Sequence, residues 1–130
     1  MTSVAGIAVD GDRIFIARRK AGGDLGGKWE FPGGKAEEGE TDEEALVREY
    51  KEEFGVKVSV GAPVGTAAFE HHQKQFSLHA YRINFLEKDF ILAEHTEWRW
   101  ALLAEIEALD FADSDRLLFP RIKAHFASSF

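Results

Sequence analysis

The segment from Thr41 to Gly55, TDEEALVREYKEEFG, fixes a helix at both ends and divides its surface into two stripes. Thr41 and Glu44 have the spacing of a capping box, with Thr41 as N-cap and Glu44 reaching back from the third helical position. Gly55 suits the position just past the C-terminus, where the backbone turns left-handed. The spacing predicts a helix over Asp42–Phe54. At about 100° per residue, with Glu49 at zero, Glu52 falls near −60° and Glu53 near +40°. Leu46, Tyr50, Phe54 and Val47 spread from about +60° to about +160° on the same count. An apolar stripe that packs on a core therefore runs beside a stripe of carboxylates along the margin of that core.

A solvated acidic face is what most charge runs are, and this one carries two small penalties. Glu49 stands at i+3 and i+4 from Glu52 and Glu53, spacings at which like charges destabilise by about 0.2–0.5 kcal/mol each. The acids also occupy the C-terminal half, where the helix dipole opposes negative charge by some tenths of a kcal/mol. Neither penalty forbids a plain surface helix, and both vanish or reverse if a cation binds. Oxygen ligands in this number suit Mg²⁺ or Mn²⁺ rather than zinc, which prefers nitrogen and sulfur. On helix geometry alone, the metal site and the solvated face both stand.

Composition narrows the setting. A chain of 130 residues with 45% hydrophobic content fits one domain with a real core. It has no cysteine, which excludes disulfides, thiolate chemistry and cysteine-based zinc sites. No basic, apolar leader precedes the first expected strand, and no apolar run approaches the ~18 residues of a membrane span. A cytoplasmic protein without a membrane partner is the expectation. The net charge of −7 argues against binding a nucleic-acid polymer. It does not exclude a phosphorylated substrate, because carboxylates bind Mg²⁺ and Mg²⁺ binds phosphates. Arg18, Arg19, Lys20, Lys28 and Lys35 can supply further positive charge.

Along the chain, Val4–Val9 and Arg13–Ala17 read as strands joined by the turn Asp10-Gly11-Asp12. Residues 20–28, KAGGDLGGK, form a glycine-rich loop, either a plain connection or a cover for a ligand. Beyond the helix, Lys57–Val60 begins a strand. Val64–Glu70 and Phe76–Phe85 read as longer strands about the polar turn His71-His72-Gln73-Lys74. Glu97–Leu102 reads as a short strand and Leu103–Leu109 as a brief helix. A last helix is expected over Ser114–Phe126, kinked or split by Pro120. Strands mixed with helices in this order predict a mixed sheet with helices on both faces. The five histidines form no spaced metal motif. His71 and His72 fall at a solvated hairpin tip, and His95 lies where it could touch a phosphate.

The stretch from Gly34 to Val56 resembles the Nudix box. Gly34, Glu40, Arg48, Glu49, Glu52, Glu53, Gly55 and Val56 match in register, and Tyr50 departs where the family usually carries Leu, Ile or Val. WEFPGGK at Trp29–Lys35 and Glu94-His95-Thr96-Glu97 before Trp98-Arg99-Trp100 resemble the MutT-like branch. The resemblance implies an α/β/α sandwich of the α+β type about a central mixed sheet, in a single domain over residues 1–130. It implies hydrolysis of a nucleoside triphosphate, oxidised or modified, to a monophosphate and pyrophosphate, cleaning the precursor pool. Dinucleoside polyphosphates or nucleotide sugars of the ADP-ribose type are the alternative substrates, and a non-catalytic nucleotide sensor is a third reading.

The resemblance also implies roles. Glu49, Glu52, Glu53 and the backbone carbonyl of Gly34 hold Mg²⁺, with Mn²⁺ as substitute. Glu94 is the additional carboxylate, binding metal or taking a proton from water, and Glu97 competes with it. Arg48 orients a box glutamate within the catalytic group Arg48, Glu52, Glu53 and Glu94, and Glu40 stabilises the loop–helix junction. Arg18, Arg19 and Lys35 are the expected phosphate-side cations. Phe31 is the candidate to stack near the base, and Asp115, in FADSD, the candidate to read its edge. An ionised Asp115 accepts from a cytosine amino group, and a protonated one can donate to a purine edge. The expected partner is the nucleotide alone, for a monomer or homodimer.

Overall fold

The structure, a computed structural model, describes residues 1–129, with side chains described through residue 126. The elements run β1 (Thr2–Asp10), β2 (Arg13–Arg19), β3 (Trp29–Glu30), β4 (Gly33–Lys35), α1 (Asp42–Phe54), β5 (Val58–His71), β6 (Lys74–Phe85), β7 (His95–Leu102), α2 (Leu103–Ala108), α3 (Asp113–Arg116) and α4 (Phe119–Ser129). The strands hydrogen-bond in the order β3-β2-β1-β6-β5, with β4 also on β1 and β7 on β2. β1 runs parallel to β6, from Thr2 opposite Ser77 to Ala8 opposite Ile83, and the other pairings are antiparallel. The sheet is therefore mixed, as the sequence predicts.

The central strands are buried on both faces, which is why they read as nearly unbroken apolar runs. Val4, Ala8, Phe15 and Ala17 share one core with Leu46, Tyr50 and Phe54 of α1. Ala5, Ile7, Ile14 and Ile16 share the other with Ile106 of α2, Leu118, and Ile122 and Phe126 of α4. Each fully buried side chain of this size contributes roughly 1.5–3 kcal/mol. Helices cover both faces, which makes the α/β/α arrangement.

Helix α1 has the predicted ends. Thr41 Oγ1 accepts from the Glu44 N–H at 3.1 Å, Glu44 Oε1 accepts from the Thr41 N–H at 3.0 Å, and Gly55 is left-handed at φ 69°. The helix is moored to β6 through Asp42, which accepts from the Tyr81 hydroxyl at 2.6 Å and pairs with His79 Nδ1 at 2.7 Å. Val47, at the far edge of the apolar stripe, is exposed rather than packed.

One boundary differs from expectation. Lys57–Val60 and Val64–Glu70 are parts of one strand, β5, interrupted only by irregularities around Pro63. β5 is the sheet edge, so Pro63 removes no ladder bond that a neighbour needs. WEFPGGK contributes two short strands, β3 and β4. The segment Ser114–Phe126 is split into two helices, as Pro120 leads one to expect, and Pro120 lies in the first turn of α4, where its missing N–H costs nothing.

Candidate active site

The β1–β4 pairing and α1 together bring the box to one place. Gly34 in β4 packs directly under Glu49; a Cβ there would lie 2.7 Å from the Glu49 carboxylate. Tyr50 anchors the same loop from below. Its hydroxyl donates to the Pro32 carbonyl at 2.9 Å, with the Gly6 carbonyl at 3.3 Å, and a Cβ on Gly6 would lie 2.6 Å from that hydroxyl. The one departure from the box pattern is thus a buried tyrosine whose polar end is satisfied and whose room is left by a glycine.

A cavity of about 770 Å³ opens above this floor. Gly34, Glu49, Glu53, Arg19, Lys35, Phe31 and Asp115 all line it. Glu53 is the most unusual of them. It is 6% exposed, and its Oε2 has no hydrogen-bond partner. Burial, then the nearby charges of Glu30 and Glu49, push its carboxyl up to about 10. A buried acid with an orphaned oxygen, between two other carboxylates, is a ready ligand for a cation that would repay its desolvation.

Arg48 lies behind the cavity and fixes the helix side of the site. It donates to Glu40 at 2.6 and 2.9 Å, to Glu49 Oε1 at 2.8 Å, to Glu52 at 3.2 Å and to the Lys35 carbonyl at 3.0 Å. The Arg48 hydrogen bond, with one from the Glu37 N–H, pulls the Glu40 carboxyl down to about 2. Arg48 offsets the like-charge penalty of the glutamate stripe without any ion.

Several expected site residues lie elsewhere. Glu52 points to solvent, because its angular position is on the far side of Glu49 from the apolar stripe. Glu94 is exposed, and its backbone carbonyl accepts from the Lys20 N–H of the glycine-rich loop at 3.2 Å. Glu97 pairs with Arg18 at 3.3 Å, and Arg18 also donates to the Gly27 carbonyl. Strand alternation in β2 sends Arg19 inward and Arg18 out, so Arg18 does not line the cavity. Phe31 borders the cavity but is a core ring, 4.9 Å from Phe111 and 6.1 Å from Phe119. His95 is not available to a phosphate: it is buried, stacked on Phe54 and bonded through Nε2 to Glu30 at 2.7 Å.

Asp115 is buried beside the cavity, and its Oδ2 accepts from the Phe31 N–H at 2.8 Å. Burial, then the charge of Glu30, raises its carboxyl well above the ordinary range. Glu30 and His95 are the pair that sequence reasoning missed. With Glu53 they form a buried group whose ligand atoms lie within 4.8 Å of one another. Glu30 stands in a two-residue strand and His95 at the start of β7, so no local spacing links them.

The NUDIX domain family matches residues 1–122. This chain belongs to the Nudix family. Its relatives are of the MutT-like kind, and it is a Nudix hydrolase. It is 36% identical over 116 residues to the putative 8-oxo-dGTP diphosphatase 2 of Mycobacterium tuberculosis, covering 87% of this chain and 81% of that one. It is 33% identical over 124 residues to the CTP pyrophosphohydrolase of Escherichia coli, covering 95% and 90%. The solution structure of the E. coli ORF135 protein superposes with a TM-score of 0.87 at 33% identity, covering 98% of this chain and 91% of that one. Nudix hydrolases generally need a divalent metal, and the Nudix substrate is a nucleotide. Among the described residues, no helix is long and apolar enough to cross a membrane.

Proposed function

We propose that this single-domain chain hydrolyses a nucleoside triphosphate, oxidised or modified, to the monophosphate and pyrophosphate in the cytoplasmic nucleotide pool. The observation that carries this reading is the orphaned, buried Oε2 of Glu53 beside Glu49 and Gly34 in a nucleotide-sized cavity. Relatives that act on 8-oxo-dGTP and on CTP support the triphosphate class.

The donor set fits a hard divalent cation, Mg²⁺ or Mn²⁺: Glu49, Glu53 and the Gly34 carbonyl from the cavity wall, and Glu52 from the solvent side. Bound there, such an ion neutralises phosphate charge and lowers the pKa of an attacking water. Arg48 holds one oxygen of Glu49 and so orients the carboxylate. Tyr50 holds Pro32, which keeps the following glycines against α1. Arg19 and Lys35 bring positive charge to the cavity for the outer phosphates. Glu94 and Glu97 stay outside the cavity in this conformation, and the proposal gives neither a step.

Asp115 reads the base edge. Its raised carboxyl keeps a proton to higher pH, which suits donation to a purine. A cytosine-type base is the second reading, favoured by the CTP pyrophosphohydrolase relative, and would instead require Asp115 ionised. Rates with dGTP, 8-oxo-dGTP, dCTP, 5-methyl-dCTP and dATP in Mg²⁺, with product identification, test the proposal. Pyrophosphate release from a triphosphate is expected. Cleavage of ADP-ribose or a dinucleoside polyphosphate, with every triphosphate left intact, would refute it.

A further inference from the structure

On the lip of the cavity, away from the box carboxylates, the structure gathers Asp24, His71 and His72. Asp24 belongs to the glycine-rich loop 20–28, His71 ends β5 and His72 follows it in the turn of the β5–β6 hairpin. Neighbouring strand residues point to opposite faces. Here they do not, because the chain leaves the strand in a left-handed turn, with His72 at φ 50° and Gln73 at φ 66°. The turn swings His72 to the side of His71, ring centroids 4.0 Å apart, and both Nε2 atoms face one carboxylate oxygen. Asp24 Oδ2 lies 3.5 Å from His71 Nε2 and 3.0 Å from His72 Nε2.

Those separations are close to what a metal requires. Ligand atoms about 2.0–2.1 Å from a tetrahedral zinc lie about 3.3–3.4 Å from one another. All three ligand atoms here lie within 4.8 Å of each other, on side chains open to solvent. Two imidazole nitrogens with one carboxylate select zinc-like ions, whereas the all-oxygen box selects magnesium-like ones. Three protein ligands also leave a fourth position for water.

We propose that Asp24, His71 and His72 form a second metal site, for a divalent transition metal of the zinc class, which ties the glycine-rich loop to the hairpin tip across the cavity mouth. Without the ion, the Asp24 contacts with His71 and His72 join the loop to the tip, and Gly22, Gly23 and Gly27 of the loop have positive φ, a conformation that glycine adopts without strain. The bound ion makes loop and hairpin one unit on the rim through which substrate passes. The site is independent of which nucleotide the cavity takes.

The test uses Co²⁺ as a zinc-class probe, with excess Mg²⁺ present to fill the box. The wild-type chain is expected to take up one Co²⁺ with the visible absorption of a tetrahedral site. D24A and the double variant H71A/H72A lose that band, while E53Q keeps it. Amide hydrogen exchange across residues 22–27 is expected to slow when Zn²⁺ is added to the wild type and to be unchanged in D24A. A band that persists in H71A/H72A, or disappears in E53Q, would place the ion at the box and overturn the site. Binding without slower exchange in the loop would overturn the tie. The side chains substituted at Asp24, His71 and His72 are exposed, so those variants should melt with the wild type in metal-free buffer, and a cooperative circular dichroism melt confirms that E53Q is folded.

Discussion

Glu52 and Glu53 are adjacent on α1 and live in opposite surroundings. The Glu52 side chain is 59% exposed and meets Arg48 at 3.2 Å. Glu53 is buried, faces Glu30 and Glu49, and leaves one oxygen without a partner. The same division runs through the site. Around Arg48, the carboxylates Glu37, Glu40, Glu49 and Glu52 share one guanidinium on the outside of the helix. Inside, Arg19, 3.5 Å from Glu30, is the cation set among Glu30, Glu53 and Asp115. The outer group meets the charge of Arg48 before any ligand binds; the inner one is incomplete until positive charge arrives. Both come from one run of acids, so the number of acids in a motif says less than which of them the core swallows.

Breaking the inner group should have the largest effect. E53Q is expected to lower turnover on the order of 10²–10³-fold, while raising the melting temperature of chelated protein near neutral pH, since glutamine, unlike Glu53, need not take up a proton to be buried. Steady-state rates and thermal melts in a chelator check both halves. Breaking the outer group with R48A should cost about 1–3 kcal/mol of stability by denaturant unfolding, as three hydrogen-bonded carboxylates lose their donor. Turnover should fall roughly 10–100-fold through the loss of Glu49 orientation. E52Q should cost about 10-fold or less, because that carboxylate is solvated before any ion binds. A loss with E52Q as large as with E53Q would erase the distinction between them.

The pH response separates the two groups by sign. An unfolded glutamate releases its proton near 4.5, whereas folded, ion-free Glu53 holds it to about 10. Between these values the folded state binds more protons, so chelated protein should lose stability as pH rises. Asp115, whose carboxyl is also raised, adds to the same trend. Glu40 works oppositely: held down to about 2, it stabilises above about 4.5, and that contribution fades as pH falls toward 2. Melts from about pH 5 to about pH 9 should fall in chelator, flatten in E53Q, and flatten with added Mg²⁺. The smallest expected effect is at the floor of the site. Y50F removes the buried hydroxyl that donates to the Pro32 carbonyl, which keeps the Gly6 N–H, and should cost about 1–2 kcal/mol. G6A should cost about 1–3 kcal/mol by crowding the Tyr50 ring, and Y50L should relieve part of that in a double-mutant cycle.

Much of this was legible in the sequence because it is local. The α1 caps are set by residues three apart, and the angular count places Glu53 about 20° from Leu46, hence under the core's edge, with Glu52 beyond it. The match of Gly34 to the box marks it as part of the site, although its close approach to Glu49 shows only in the structure. What could not be read is what the sheet brings together across long sequence separations. Glu30 meets His95 only because β3 and β7 both pair with β2. Asp24 meets His71 and His72 only because the glycine-rich loop and the β5–β6 tip end at the same rim. Arg18 and Arg19 differ in exposure by one residue of strand alternation, which requires knowing which face of β2 is the inner one. Pro63 reads as a break because the sequence does not reveal that its strand lies at an edge.

The most direct test is the binding of Mn²⁺, followed by electron paramagnetic resonance of the free ion, to wild-type protein and to E53Q. The wild type should bind Mn²⁺ without any nucleotide, and E53Q should bind at least about 10-fold more weakly while remaining folded. Equal affinity in the two proteins would contradict the assignment of Glu53 as the ligand about which the site is built.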